Sequence, residues 1–138
     1  MCGGGTTLDV CHDLEREGVG FDLGPTRPDI TAADARRLPM PDASADFVFM
    51  DPPYSTHIRY TGQPECIGTL DAAGEDGGEA YYESMTQVIS ESARILRNRR
   101  YMALYVSDSW RKRKGAKGGG NGTFMPIGFE LFLSLIHI

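Results

Sequence analysis

Apolar positions come in short bursts along this chain, separated by glycine-rich and charged stretches. After Gly3-Gly4-Gly5, the residues Leu8, Val10, Cys11 and Leu14 suit one face of a helix. Arg16 near its end and Gly18 just beyond it read as a helix stop. Residues 19–23 form a short apolar strand carrying Asp22. The turn residues GPTRPD then lead to a second strand over 30–33, ending at Asp34. Residues 47–50 make a third strand, which runs straight into Asp51-Pro52-Pro53-Tyr54. Two consecutive prolines supply no backbone N–H and fix their own φ, so neither ladder nor helix continues through them. Residues 55–78 hold five glycines and little periodicity and are expected to be a long mobile loop. Loops of that length within compact domains are usually functional or disordered.

Helical spacing returns over residues 79–96, where Tyr82, Met85, Val88, Ile89, Ala93 and Leu96 share one face. A strand over 101–106 follows, then a basic, glycine-rich loop over 111–122. A helix over 124–133 has Pro126 in its first turn. Strands alternating with helices, with no internal repeat, predict an α/β fold: a Rossmann-like, doubly wound, mostly parallel sheet.

Composition narrows this picture only a little. A chain of 138 residues, 41% hydrophobic and 24% charged, is one domain with a modest core. The net charge of −5 disfavours a nucleic-acid partner, but nine of the fourteen Lys and Arg lie between Arg94 and Lys117, with Asp108 the single acid there. Local charge governs binding to phosphates, so this stretch reopens that possibility. Cys2, Cys11 and Cys66 form an odd count without a CxxC pair, which suggests a reducing compartment and no structural zinc or other metal site. No apolar run approaches membrane-spanning length, so the expectation is a soluble cytoplasmic protein without a membrane partner.

In an open α/β sheet, ligands sit at the carboxyl ends of the strands. The glycine loop, Asp22, Asp34 and the Asp51–Tyr54 turn should all reach that edge. The glycines let the chain pass close to a ligand, and the following helix offers free N–H groups. By itself such a loop reads as a structural turn before a ligand site. Joined to Asp22, seventeen residues after Gly5, it has the spacing of a carboxylate that accepts hydrogen bonds from ribose hydroxyls. The sharper signal is DPPY, expected by chance in about one chain in a thousand of this length.

These motifs together resemble the amino-methyltransferase family, which uses S-adenosyl-L-methionine to methylate exocyclic amines of adenine or cytosine in DNA. CGGGTT resembles the family's cofactor glycine motif, Phe21-Asp22-Leu23 its acidic motif, Asp34-Ala35 its adenine-contacting motif and DPPY its catalytic motif. The match covers most of residues 1–109, with the cofactor motif preceding the catalytic one. The resemblance implies cofactor contacts from Cys2, Gly3, Gly5, Thr6, Asp22, Leu23, Asp34 and Ala35. It implies catalysis by Asp51, Pro52, Pro53 and Tyr54. The residue types suit that chemistry. An exocyclic amine conjugated with its ring is planar and a poor nucleophile. Asp51 can accept one of its N–H groups and the Pro52 carbonyl the other, drawing the nitrogen toward a tetrahedral shape. Tyr54 offers a face on which the base stacks. Positioning and electrostatics supply the rate without a covalent intermediate. A base inside a duplex has to be flipped out to reach such a pocket. The opening Asp, rather than Ser, favours adenine over cytosine. No Pro-Cys nucleophile motif is present, which argues against carbon-5 cytosine methylation.

Other residues carry less. His57 and Arg59 read equally as phosphate or target contacts and as solvated loop residues. The run RKRKGAK over 111–117 reads as a solvated loop before a backbone grip. His12 reads as a helix-surface residue, Cys2 as a small packing residue, and Trp110 as an anchor or a target contact. Met1 falls inside the glycine motif, so the resemblance implies a truncated domain over residues 1–132. Its first strand would lie upstream and belong between those at 19–23 and 47–50, leaving a gap where the cofactor binds. The closing LSLIHI over 133–138 resembles the translation of a sequencing-library adapter and is set aside from fold reasoning. RNA or protein-glutamine methylation uses the same motif chemistry and stands as the alternative within enzymes. A nicotinamide dehydrogenase leaves DPPY without a role. A non-catalytic nucleic-acid-binding module leaves Asp51 and Tyr54 without one.

Overall fold

The computed structural model describes residues 2–58, 60, 62–111 and 122–136. Among these, α1 (Thr6–Asp13) is followed by β1 (Gly20–Asp22), β2 (Ile30–Ala32) and β3 (Ala45–Met50). Then come a one-turn 3-10 helix (Ile67–Thr69), α2 (Glu79–Ile95), β4 (Leu96–Leu104), β5 (Ser109–Arg111), β6 (Thr123–Met125) and α3 (Ile127–Leu135).

The expected doubly wound sheet is not formed, which corrects the Rossmann-like reading. The strands pair only two by two: β1 with β2 in parallel, β3 with β4 in parallel, and β5 with β6 antiparallel. The sequence pattern marks extended segments but not their neighbours, and no described strand bridges β1 and β3. Instead, β1 and β3 wall a cleft of about 790 Å3, together with Leu8 and Cys11 of α1 and Val88 and Ser92 of α2. Coverage is also incomplete. Parallel sheets ordinarily carry helices on both faces, yet α1 has no buried residue. On β3, Val48 and Met50 turn toward the core, while Phe47 and Phe49 remain 58% and 46% exposed on the other face. On β4, Tyr101, the register partner of Phe47, is likewise exposed.

The core belongs to α2. It joins Met50, Ile67, Ala72, Tyr81, Met85, Val88, Ile89, Met125, Ile127 and Leu131. The buried face of α2 is Tyr81, Ser84, Met85, Val88, Ile89, Ser92 and Ile95, so the stripe includes Tyr81 where the apolar pattern marked Tyr82. Two serines on that face made it look narrower than it is. Ser92 is satisfied by donating to the sulfur of Met50 at 3.1 Å. The start of α2 is set by Gly78, at φ 87°, where a side chain would run into the Ala72 carbonyl. Asp76 accepts from the Gly78 and Ala80 amides and so satisfies two donors of the first turn. At the other end, Leu96 turns extended immediately and begins β4, five residues earlier than the apolar run suggests.

Residues 55–78 are not a bare excursion. They contribute Ile67 and Ala72 to the core and bury Cys66 and Gly68. Residues 123–125, expected to lie at or next to the start of the last helix, are strand β6; Pro126 caps α3 instead of sitting in its first turn. Helix α3 runs to Leu135, which packs against the core. Among the described residues, no helix is long and apolar enough to cross a membrane.

Candidate active site at the end of β3

The turn after β3 is tied down from three sides. The Tyr105 amide donates to the Met50 carbonyl at 2.8 Å, extending the β3–β4 ladder to the edge of the turn. Buried Tyr81 donates its hydroxyl to the Pro53 carbonyl at 2.8 Å, so the longest helix grips the double proline directly. Ser55 is buried with φ 57°, and its hydroxyl oxygen accepts from the Ala72 amide at 2.8 Å. Pro52 and Pro53 are buried, while Asp51 is exposed at the rim. Burial pushes the Tyr81 hydroxyl far above its ordinary range, in keeping with its role as donor to Pro53.

Within the turn, Tyr54 donates to Asp51 Oδ1 at 2.8 Å, with the Tyr105 carbonyl at 3.5 Å. Burial first, then the Asp51 carboxylate, raises the Tyr54 hydroxyl well above its usual value. Among the described residues no donor reaches Asp51 Oδ2 or the Pro52 carbonyl. The four motif residues are thus brought together, with two acceptors unpaired beside a half-buried ring. His57 lies just beyond, its Nε2 2.5 Å from the Ser109 hydroxyl on β5. That contact fastens the segment after the turn to the β5–β6 pair, where Trp110 and Phe124 meet at 5.9 Å between ring centroids. Arg59 lies outside the described residues, as does the basic run beyond the Arg111 backbone. Part of the remaining positive charge is internal. Arg94 binds Asp42, Glu91 and the carbonyls of Leu38 and Met40, and Arg97 and Arg100 share Asp46.

The glycine-loop residues assemble differently. Gly5, at φ 82°, caps α1, and its carbonyl accepts from Leu8 and Asp9. Asp22 Oδ2 accepts from the Cys2 and Gly3 amides, both at 3.0 Å, and Oδ1 from Gly24 at 3.0 Å. Burial alone would raise this carboxyl; the three amides outweigh it and hold it below the usual range. Cys2 is half-buried, and burial raises its thiol. Thr6 is exposed at the start of α1, and Leu23 lends its carbonyl to the Gln63 side chain at 3.4 Å. Asp34 is forked by Arg36, at 2.7 Å for the closest contact, while Ala35 lines the cleft. The structure therefore joins Cys2, Gly3 and Asp22, but turns Asp34 to a different partner and leaves Asp51 on the separate β3–β4 pair.

S-adenosyl-L-methionine does not fit this end of the molecule as it stands. A carboxylate offers about four acceptor positions, and three on Asp22 are taken by the chain's own amides. A ribose diol asks for two. Arg27, bound to Asp9 and Asp29, also lies on Gly5, where an added methyl would come within 2.7 Å of its guanidinium. Arg27 carried no sequence signal beyond a turn. Tyr81 did: the series 81, 85, 88, 92, 95 keeps helical spacing once the serines are admitted. Comparison with protein-family models, with curated proteins and with solved structures returned no match.

Proposed function

We propose that the Asp51 turn is an amine-binding site of an amino-methyltransferase. In this reading the exocyclic amine of a flipped-out DNA base, adenine ahead of cytosine, is the methyl acceptor, and S-adenosyl-L-methionine would be the donor once Asp22 is released from the Cys2 and Gly3 amides and Gly5 from Arg27. The observation that carries the proposal is the clamped turn. Tyr81 donates to the Pro53 carbonyl and Tyr54 to one oxygen of Asp51, while among the described residues no donor reaches Asp51 Oδ2 at the exposed rim or the buried Pro52 carbonyl. A bare exit from a sheet needs neither a buried tyrosine on its second proline nor an unpaired acid.

The chain's own contribution is on the amine side. Asp51 Oδ2 accepts one N–H of the amine and the Pro52 carbonyl the other. Conjugation with the ring weakens, and the lone pair becomes available for attack. Acceptors fixed before the ligand arrives cost no reorganisation during the reaction. Because the Tyr54 hydroxyl remains protonated, it can keep Asp51 oriented without competing for the substrate proton.

The test is transfer of label from S-adenosyl-L-methionine to separate DNA, RNA and protein pools. Label on adenine amino groups in DNA is the expected outcome, falling on the order of 100-fold with Asp51→Ala. Equal transfer by Asp51→Ala would remove the turn from the reaction. Label confined to RNA or protein would move the same chemistry to another substrate.

A further inference from the structure

Resting on the amine-site reading, we propose that Tyr60 is a binding residue of this site. Its ring, seated on Gly68, supplies the face on which the amine-bearing heteroaromatic ring stacks. Tyr60 is 42% exposed, yet its position is built. A methyl group at residue 68 would fall 2.3 Å from Tyr60 Cδ2, so the ring rests where only glycine leaves room. Gly68 is itself buried in the 3-10 turn. That turn leads to Ala72, whose amide is bound by Ser55, the residue after Tyr54. The seat of Tyr60 and the Asp51 turn are therefore parts of one fastened unit.

Burial first and then the Asp51 charge raise the Tyr60 hydroxyl, in keeping with its place in that unit. The Tyr60 ring stacks on neither Tyr54 nor Tyr105, and its hydroxyl has no partner among the described residues. An exposed, braced and unstacked ring, fastened to the same unit as the Asp51 turn, suits a flat ligand whose edge carries hydrogen-bond donors. Every base has a π-face, so the ring contributes affinity while Asp51 selects for the amine.

Adenosine and purine riboside, which lacks the amine, separate the two contributions. Each is titrated against the 138-residue chain and its variants by ligand-observed NMR. Tyr60→Ala should weaken both nucleosides by about tenfold, as loss of one base–aromatic stack does. Tyr60→Phe should restore both to within about twofold, because it keeps the ring. Gly68→Ala, which displaces the ring without removing it, should weaken both in parallel. Asp51→Ala should weaken adenosine alone. If Tyr60→Ala binds both nucleosides as the unaltered chain does while Asp51→Ala loses adenosine, the Tyr60 assignment fails and the amine site stands. If Tyr60→Ala loses both but Asp51→Ala changes neither, the stacking face stands and the amine reading fails. Saturable binding of neither nucleoside overturns both.

Discussion

The two ends of this molecule that carry motif residues are held by different forces. The Asp51 turn is built on a core: Tyr81, Met85, Val88 and Ile89 are fully buried behind it, and the Tyr81 and Ser55 hydroxyls that fasten it are buried too. The glycine-loop end has almost no core. Helix α1 buries no residue, and Ile30 is the buried large side chain of β1 and β2. That end is held by Asp22 on three amides and by Arg27 between Asp9 and Asp29. Burial is non-directional and additive, so it tolerates small errors of position. A lattice of polar bonds near water is directional, and it exchanges with solvent and with ligands at little cost. A rigid turn at Asp51 and an adjustable loop end follow from that contrast.

Truncating the core separates the two ends most sharply. Met85→Ala should destabilise the chain by about 2–5 kcal/mol in denaturant unfolding, whereas Leu8→Ala, facing the cleft, should stay within about 1 kcal/mol. Comparable losses from the two would show that α1 shares the core after all. Next in size is Tyr81→Phe, which strips the buried Pro53 carbonyl of its donor and should cost about 1–3 kcal/mol. NMR shifts at Asp51 and Tyr54 should move with it, and unchanged shifts there would show that the turn does not depend on the helix.

Acid sharpens the contrast at a smaller scale. The Asp22 carboxyl is held below its unfolded value, so its contribution is complete above about pH 4 and is lost as pH falls through the folded pKa. As pH falls below about 4 and through the folded pKa, the Cys2, Gly3 and Gly24 amides should lose protection from hydrogen exchange. Ala80 should follow, since Asp76 is lowered in the same way by the amides of α2. Val88 and Ile89 should keep theirs. The smallest effect belongs to Arg27→Ala. Its ion pairs are solvated, so the unfolding midpoint should shift little, and less in high salt than in low. The same substitution uncovers Gly5, and a gain in binding of S-adenosyl-L-methionine, read by calorimetry, is expected if Arg27 stands in the donor's place.

Much of the local structure was legible in the residues. The alternation through Phe47, Val48, Phe49 and Met50, the proline stop after Asp51 and the helical spacing of Met85, Val88 and Ile89 all encode conformations the chain adopts. These are short-range properties, set by φ restriction and by side-chain period. Phe124 misled because its apolar neighbours fit a helix start as well as an edge strand. The pairing of Trp110 with Phe124 across β5 and β6 decided for the strand.

What the sequence determined by itself is a set of extended and helical segments and one turn, Asp51 to Tyr54, whose stiffness is covalent. Tertiary structure alone decided that β1 and β3 face a cleft instead of joining one sheet, because strand pairing depends on a neighbour the local pattern does not name. It alone brought Tyr81 to Pro53 and Ser55 to Ala72, since those contacts join residues far apart in the chain, and it folded Tyr60 back onto Gly68. And it gave Asp22 to the chain's own amides, because a carboxylate near free N–H groups binds whichever donors the fold delivers first.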